Sequence, residues 1–258
     1  MNESIDKVAT LMRDAKKVTV LTGAGVSTGS GLPDFRSQGG LWNGVDPREI
    51  ASIGSLDPRK DHESESQYIS RLYRFIKFYG ERMMMVKQHT PNIGHDILAR
   101  WEETGIIHGI VTQNVDGYHE LAGSMNLVEL HGSLNSVRCQ ACGDVYSSDR
   151  FLRDAFCTCM GLLRPNVVLF GENIDALPDA QELVESSDLM LVLGSTLTVK
   201  PANLLPFGVR DTGGKVVIIN MEPTQIDPIA EVVINNADLS DVLVWLDTAL
   251  SSMNNDLV

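Results

Sequence analysis

Apolar positions along the chain fall into two alternating rhythms. Ile5, Val8, Ala9, Leu11, Met12 and Ala15 recur at helical spacing, and the short apolar run 18–21 follows them as a strand. Comparable runs return at 106–111, 127–130, 189–193, 216–219 and 232–234, with helical patterns between them at 93–103, 179–185 and 239–250. Strands that are apolar throughout must be covered on both faces, and strands separated by helices cannot be hairpins. The pattern predicts an α/β fold: a doubly wound, parallel, Rossmann-like sheet.

Two stretches interrupt that alternation. From 40 to 90 a loop leads into a helix with Tyr68, Leu72, Phe75 and Tyr79 on one face; from 133 to 166 no long periodic element stands out. The expected division is therefore a Rossmann-like nucleotide domain from 1–39, 91–132 and 167–258, plus a smaller module. A helical insertion, 40–90, and an insertion carrying every cysteine, 133–166, would form that module. At 258 residues and 43% hydrophobic content, the chain is long enough for a substantial core with one appendage.

Charge narrows the partners. A formal net charge of −13 opposes the dense cationic grip that sequence-independent nucleic-acid binding needs. It serves either plain solubility or a weak attraction for basic peptides. The first residues lack a basic region followed by an apolar core, and no apolar run approaches the roughly 20 residues of a membrane helix. A soluble, cytoplasmic protein with no nucleic-acid or membrane partner is expected. The lack of heptads and long tails makes a monomer the simplest expectation.

Candidate chemistry sits where the strands end. Gly23-Ala24-Gly25 follows the first strand, so backbone N–H groups there would approach a pyrophosphate closely; the same glycines could equally be turn punctuation. Asp34-Phe35-Arg36 then places a carboxylate, an aromatic face and a guanidinium just beyond the turn, as suits a reaction at the nicotinamide ribose. Gln113, Asn114 and Asp116 follow the second strand, where doubly wound sheets place ligands, though Asn and Asp also cap helices. His131, beside Gly132 at the end of another strand, is a candidate base for a sugar hydroxyl. The remaining histidines read as solvent-facing (His62, His108), as flanking a helix start (His89, His95), or as orienting the Asp116 loop (His119). Gly194, Ser195 and Asn220 end two later strands, and Pro165 and Pro201 suggest unpaired edges to which an extended peptide adds as a strand.

Cys139-x-x-Cys142 followed by Cys157-x-Cys159 has the pairwise spacing of a tetrahedral thiolate site. Four thiolates leave no position open for water, so zinc there would be structural. Two disulfides are the alternative, and the absence of an export signal weighs against them.

Taken in order, these motifs resemble the sirtuin family of NAD-dependent protein deacylases, in its bacterial, core-only form. The resemblance implies an NAD pocket from Gly23, Ala24, Gly25, Ser27, Asp34, Phe35, Arg36, Gln113, Asn114, Asp116, Gly194, Ser195 and Asn220. It implies His131 as catalytic base with Asn114 beside it, zinc on the four cysteines, and an acyl-peptide cleft from Val168, Phe170, Gly171, Val199 and Pro201. The implied reaction transfers an acyl group from lysine to ADP-ribose, consumes NAD and releases nicotinamide. Tyr79-x-x-Arg82 is similar to the pair marking the branch that prefers succinyl and malonyl lysine, where it would clamp a carboxylate. It also fits an i, i+3 surface pair, and deacetylation is the default. Mono-ADP-ribosylation or NAD hydrolysis, and a non-catalytic NAD-sensing module, complete the alternatives.

Overall fold

Six parallel strands form the central sheet: β1 (Val18–Thr22), β2 (Gly109–Thr112), β3 (Leu127–Glu129), β7 (Leu189–Leu193), β8 (Lys215–Ile219) and β9 (Val232–Ile234). Their spatial order is β3-β2-β1-β7-β8-β9. In this computed structural model residues 1–34, 39–41 and 46–252 are described. Every residue of β1 and β7 is buried, as expected of strands covered on both faces.

Period-two alternation sorts the side chains between two cores. Leu189, Leu191 and Leu193 of β7 join one core with the helices Asn2–Asp14, Ile93–Glu103 and Leu239–Ser252. Met190 and Val192 point the other way, into a core closed by the helices Leu177–Glu185 and Leu205–Asp211. The chain continues from β1 into β2 on one side and leaves β7 for β8 on the other. The order therefore reverses between β1 and β7, and a crevice opens at their carboxyl ends.

The second unit has its own core. Three antiparallel strands, β4 (Gly132–Cys139), β5 (Val145–Ser147) and β6 (Leu163–Val167), lie in the order β5-β4-β6. Leu134, Val137, Leu163 and Val167 of this sheet pack with Phe75, Tyr79, Met83 and Val86 of the long helix Glu65–Gln88. Segments 40–90 and 133–166 thus share one apolar cluster. Ser64 starts the helix with a capping box, accepting the Gln67 N–H while Gln67 Oε1 accepts that of Ser64.

Several expectations need correction. The second strand begins at Gly109, because Ile106 and Ile107 both donate their N–H to the Trp101 carbonyl and so close the preceding helix. The segment 133–166 holds all but the first residue of the eight-residue strand Gly132–Cys139, where no long element was expected. Pro165 does lie on the edge strand β6, but Pro201 is in no strand and instead opens a short 3₁₀ turn, 202–204.

Candidate active site

A cavity of about 720 Å³ occupies the crevice between β1 and β7 and extends to the small module. That is within the size range of small-molecule sites. It brings together Gly23, Ala24, Gly25, Asp34, Gln113, Asn114, His131, Gly194, Ser195 and Asn220 with Val168, Phe170 and Gly171 from the segment after β6 and Val199 from the loop after β7. Phe35 and Arg36 lie outside the described residues. Pro201 is next to the wall residue Lys200 but does not itself line the cavity.

The glycines work differently from the expectation. Gly23 N–H donates to the Leu193 carbonyl (3.0 Å) and Gly25 N–H to the Gly194 carbonyl (2.9 Å), so neither is available to a phosphate. They are glycines because two loops touch: a Cβ on Gly25 would lie 2.6 Å from Gly194 Cα. Gly194 itself has φ +62°, and a Cβ there would strike the Gly25 backbone at 2.7 Å. The turn after β1 is thus packed against the turn after β7, and this contact forms the floor of the crevice.

Polar side chains lock the same floor. Gln113 Nε2 donates to Ser195 Oγ (2.8 Å), joining the β2 and β7 loops. Asn114 Nδ2 donates to the Gly23 carbonyl and to Ser27 Oγ, each at 3.1 Å, and Ser27 Oγ donates to Asp116 Oδ2 at 2.7 Å. The other Asp116 oxygen accepts the Tyr118 N–H. Ser27 and Asp116 do not line the main cavity; they face a recess of about 30 Å³ beneath it, shared with Asn114 and Arg82.

His131 is half-buried, and its Nδ1 lies 3.1 Å from the Gln113 carbonyl. A carbonyl can only accept, so Nδ1 carries the proton and Nε2 is the basic nitrogen. Burial pushes the His131 pKa below the ordinary histidine value, and the hydrogen bond to Gln113 only partly opposes this. The ring is neutral at pH 7, as a general base must be.

Sequence reasoning missed His95. It is fully buried, Nδ1 accepts the Asn92 N–H (3.2 Å), and Nε2–H faces Ser27 Oγ at 3.5 Å. It does lie at a helix start, as the third residue of a capping box with Asn92, and that place in the sequence gives no sign that the other ring nitrogen faces Ser27. His119 also differs from expectation: its Nε2 meets Thr22 Oγ1 at 2.9 Å, so it braces β1 rather than the Asp116 loop. Burial pushes His119 down to about 3. Tyr79 and Arg82 are not a surface pair; both line the cavity wall, and burial pushes the Tyr79 phenol up to about 12.

The four cysteines converge. Cys139 Sγ lies 3.5 Å from Cys159 Sγ, Cys142 Sγ lies 3.7 Å from Cys157 Sγ, and all four sulfurs are within 4.8 Å of one another. Zinc–sulfur bonds of about 2.3 Å in a tetrahedron require sulfur separations of about 3.8 Å, so the cluster fits the metal. The sulfurs are much too far apart for disulfides, and all four are free thiols. Gly161 belongs to the cradle: a Cβ there would lie 2.6 Å from Cys139 Sγ. The Ala141 N–H also points at Cys139 Sγ, at 3.3 Å.

Comparison with known proteins matches this architecture. The chain is 45% identical over 244 residues to an NAD-dependent protein deacetylase of Geobacillus kaustophilus, covering 93% of this chain and 96% of the relative. It is 43% identical over 236 residues to one of Oceanobacillus iheyensis, covering 90% and 95%. A solved Sir2 structure described with a deacetylated p53 peptide and 3′-O-acetyl-ADP-ribose superposes with a TM-score of 0.83 at 34% identity, covering 94% of this chain and 96% of that one. The Sir2 family model matches residues 23–201, from the glycine turn after β1 through the four cysteines to the cavity wall, and the chain belongs to the Sir2 family.

Proposed function

We propose that this protein is an NAD-dependent protein-lysine deacetylase whose reaction centre is the crevice between β1 and β7. The observation that carries the proposal is His131: a neutral imidazole at the switch point, with its proton fixed on Nδ1 and its basic Nε2 left for a substrate hydroxyl. NAD would supply an activated ribose that loses nicotinamide and takes up the acyl oxygen, and one water completes the transfer, giving free lysine and O-acyl-ADP-ribose. In this reading Gln113, Asn114, Ser195 and Asn220 hold the dinucleotide, Gly23, Ala24, Gly25 and Gly194 line the floor beneath it, and Asp34 belongs to the same NAD pocket, to which the resemblance also assigns Phe35 and Arg36. Ser27 and Asp116 keep Asn114 fixed from below. Preorganised donors of this kind stabilise charge developing at the ribose without reorganising during the reaction.

The wall containing Val168, Phe170, Gly171 and Val199 receives the acyl-lysine peptide. Pro201 follows the lining residue Lys200 and opens the turn that ends the loop after β7. Zinc on Cys139, Cys142, Cys157 and Cys159 is structural, since four thiolates complete its coordination. Among the described residues no helix is long and apolar enough to cross a membrane. We place the enzyme in the cytoplasm, as a monomer acting on acylated proteins.

The test is turnover of acyl-lysine peptides with NAD, resolved by mass. Equimolar free lysine, nicotinamide and O-acetyl-ADP-ribose are expected from the wild type and not from His131→Ala. ADP-ribose alone, or ADP-ribosyl adducts on protein, would replace deacetylation by NAD hydrolysis or ADP-ribosyl transfer. Because Tyr79 and Arg82 line the cavity, succinyl-lysine belongs in the panel; acetyl is expected to be preferred.

A further inference from the structure

The cavity wall opposite the sheet is not a regular strand, yet its backbone is almost fully tied. Val168 N–H donates to the His131 carbonyl (2.9 Å), Phe170 N–H to the Ala51 carbonyl (2.8 Å), and the Phe170 carbonyl accepts the Ile53 N–H (3.0 Å). What holds the remaining groups is a buried Arg164–Glu172 ion pair, with the half-exposed Arg138 guanidinium 3.8 Å from the same Glu172 carboxylate. Arg164 is only 3% exposed, and its guanidinium donates to both Glu172 oxygens, at 2.5 and 2.9 Å. It also donates to the Val167 carbonyl at 2.5 Å and, through Nε, to the Pro165 carbonyl at 3.3 Å. Glu172 in turn accepts the Leu169 N–H at 2.8 Å and returns its own N–H to the Leu169 carbonyl at 3.0 Å.

A buried arginine is costly, and buried ion pairs of this kind are poor stabilisers compared with apolar packing. What this one provides is shape. Its hydrogen bonds all end within residues 165–172, the segment that carries the wall residues Val168, Phe170 and Gly171. A guanidinium fork has a fixed geometry, so it sets the backbone path where a lysine would not.

We propose that Arg164 and Glu172 are positioning residues for the acyl-peptide substrate: their paired side chains fix the backbone of 165–172 as the wall against which the peptide lies. The hydrogen bonds of both side chains stay within residues 164–172, and although Glu172 borders the cavity none of them reaches the dinucleotide loops after β1, β7 and β8, so peptide and NAD should respond differently. The inference rests on the deacetylase reading; failure of wild-type turnover would remove that reading, whereas failure of the clamp leaves wild-type turnover intact.

The experiment is a steady-state comparison of zinc-loaded wild type with Arg164→Lys, Glu172→Gln and the double variant Arg164→Met/Glu172→Leu, alongside NAD binding by calorimetry. For Arg164→Lys and Glu172→Gln, the KM for an acetyl-lysine peptide is expected to rise about tenfold, with NAD affinity within about twofold of wild type. The double variant removes both buried charges and so the unpaired buried charge that destabilises a single variant; the remaining partner, Arg138, is half-exposed and stays solvated. It should regain thermal stability but not peptide KM, because no side chain then holds Leu169 N–H or Val167 carbonyl. Wild-type peptide KM in the folded double variant or in Arg164→Lys, or equal losses for peptide and NAD, overturns the proposal.

Discussion

At the scale of single residues, the tautomer of His131 makes a prediction with a definite sign. Its pKa is lowered by burial, so the basic form persists to a pH below the ordinary histidine value of about 6.5. kcat/KM should rise with pH, follow an apparent pKa under 6.5, and be level through neutrality; an acid limb centred above 7 would show that another group is the base. Replacing His131 by alanine should cost about 10²–10⁴ in kcat with NAD affinity retained, measured by single-turnover kinetics and calorimetry. Gly25 tests the floor of the site rather than its chemistry. Gly25→Ala would bring a methyl group within 2.6 Å of Gly194 Cα, backbone against backbone, so neither side can yield as a flexible side chain would. The expected result is weaker NAD binding together with a lower Tm. Gly80, inside the helix Glu65–Gln88 with nothing within 4 Å of its would-be Cβ, is the control: Gly80→Ala should stabilise by about 0.5–1 kcal/mol.

At the scale of elements, the two units differ in what holds them. The parallel sheet is covered by an apolar cluster on each of its two faces, whereas the three-stranded sheet shares a single cluster, to which Cys139 and Cys157 themselves belong. Zinc removal should therefore unfold the small module first. A strong chelator is expected to expose 140–162 to limited proteolysis while the sheet's hydrogen-exchange protection persists; simultaneous loss of both would mean a single cooperative unit. The same contrast explains what could be read from the sequence. Parallel strands such as 189–193 are apolar on both faces, and Asn114, His131 and Ser195 were locatable because sheet ligands gather where such strands end. β4 was not legible because its ladder to β6 shifts between Ser133 and Val137, so that Leu134 and Val137, three apart, both face inward and break the period of two. The helix Leu205–Asp211 was missed because Pro206 and Gly208 fall within its seven residues. Tyr79 and Arg82 were legible as a pair but not as cavity wall, since i, i+3 spacing does not say what the helix face meets.

At the scale of the whole molecule, acid stability is decided by buried imidazoles working against one raised carboxyl. His95, His119 and His131 all have their pKa lowered with burial as the largest cause, His119 to about 3. In the unfolded chain each would take up a proton near pH 6.5, while the native state refuses it until lower pH. The unfolded state therefore binds more protons below about pH 6.5, and stability falls as the solution is acidified. For His119, 1.5 pH units between 6.5 and 5 amount to about 2 kcal/mol. Glu129 runs the other way: burial first, then Glu120 and Asp116, raise it to about 7 against a hydrogen bond from Ser133, so it favours the native state below the ordinary glutamate value and loses that advantage as pH rises through 7. It is only partly buried, so solvent screens its share, and three imidazoles outweigh it. Calorimetric Tm should fall from pH 7.5 to pH 5, and His119→Gln should flatten the slope of unfolding free energy against pH by close to one proton's contribution. A Tm that rises on acidification would mean that the Glu129 carboxyl, not the three imidazoles, controls the stability of the fold.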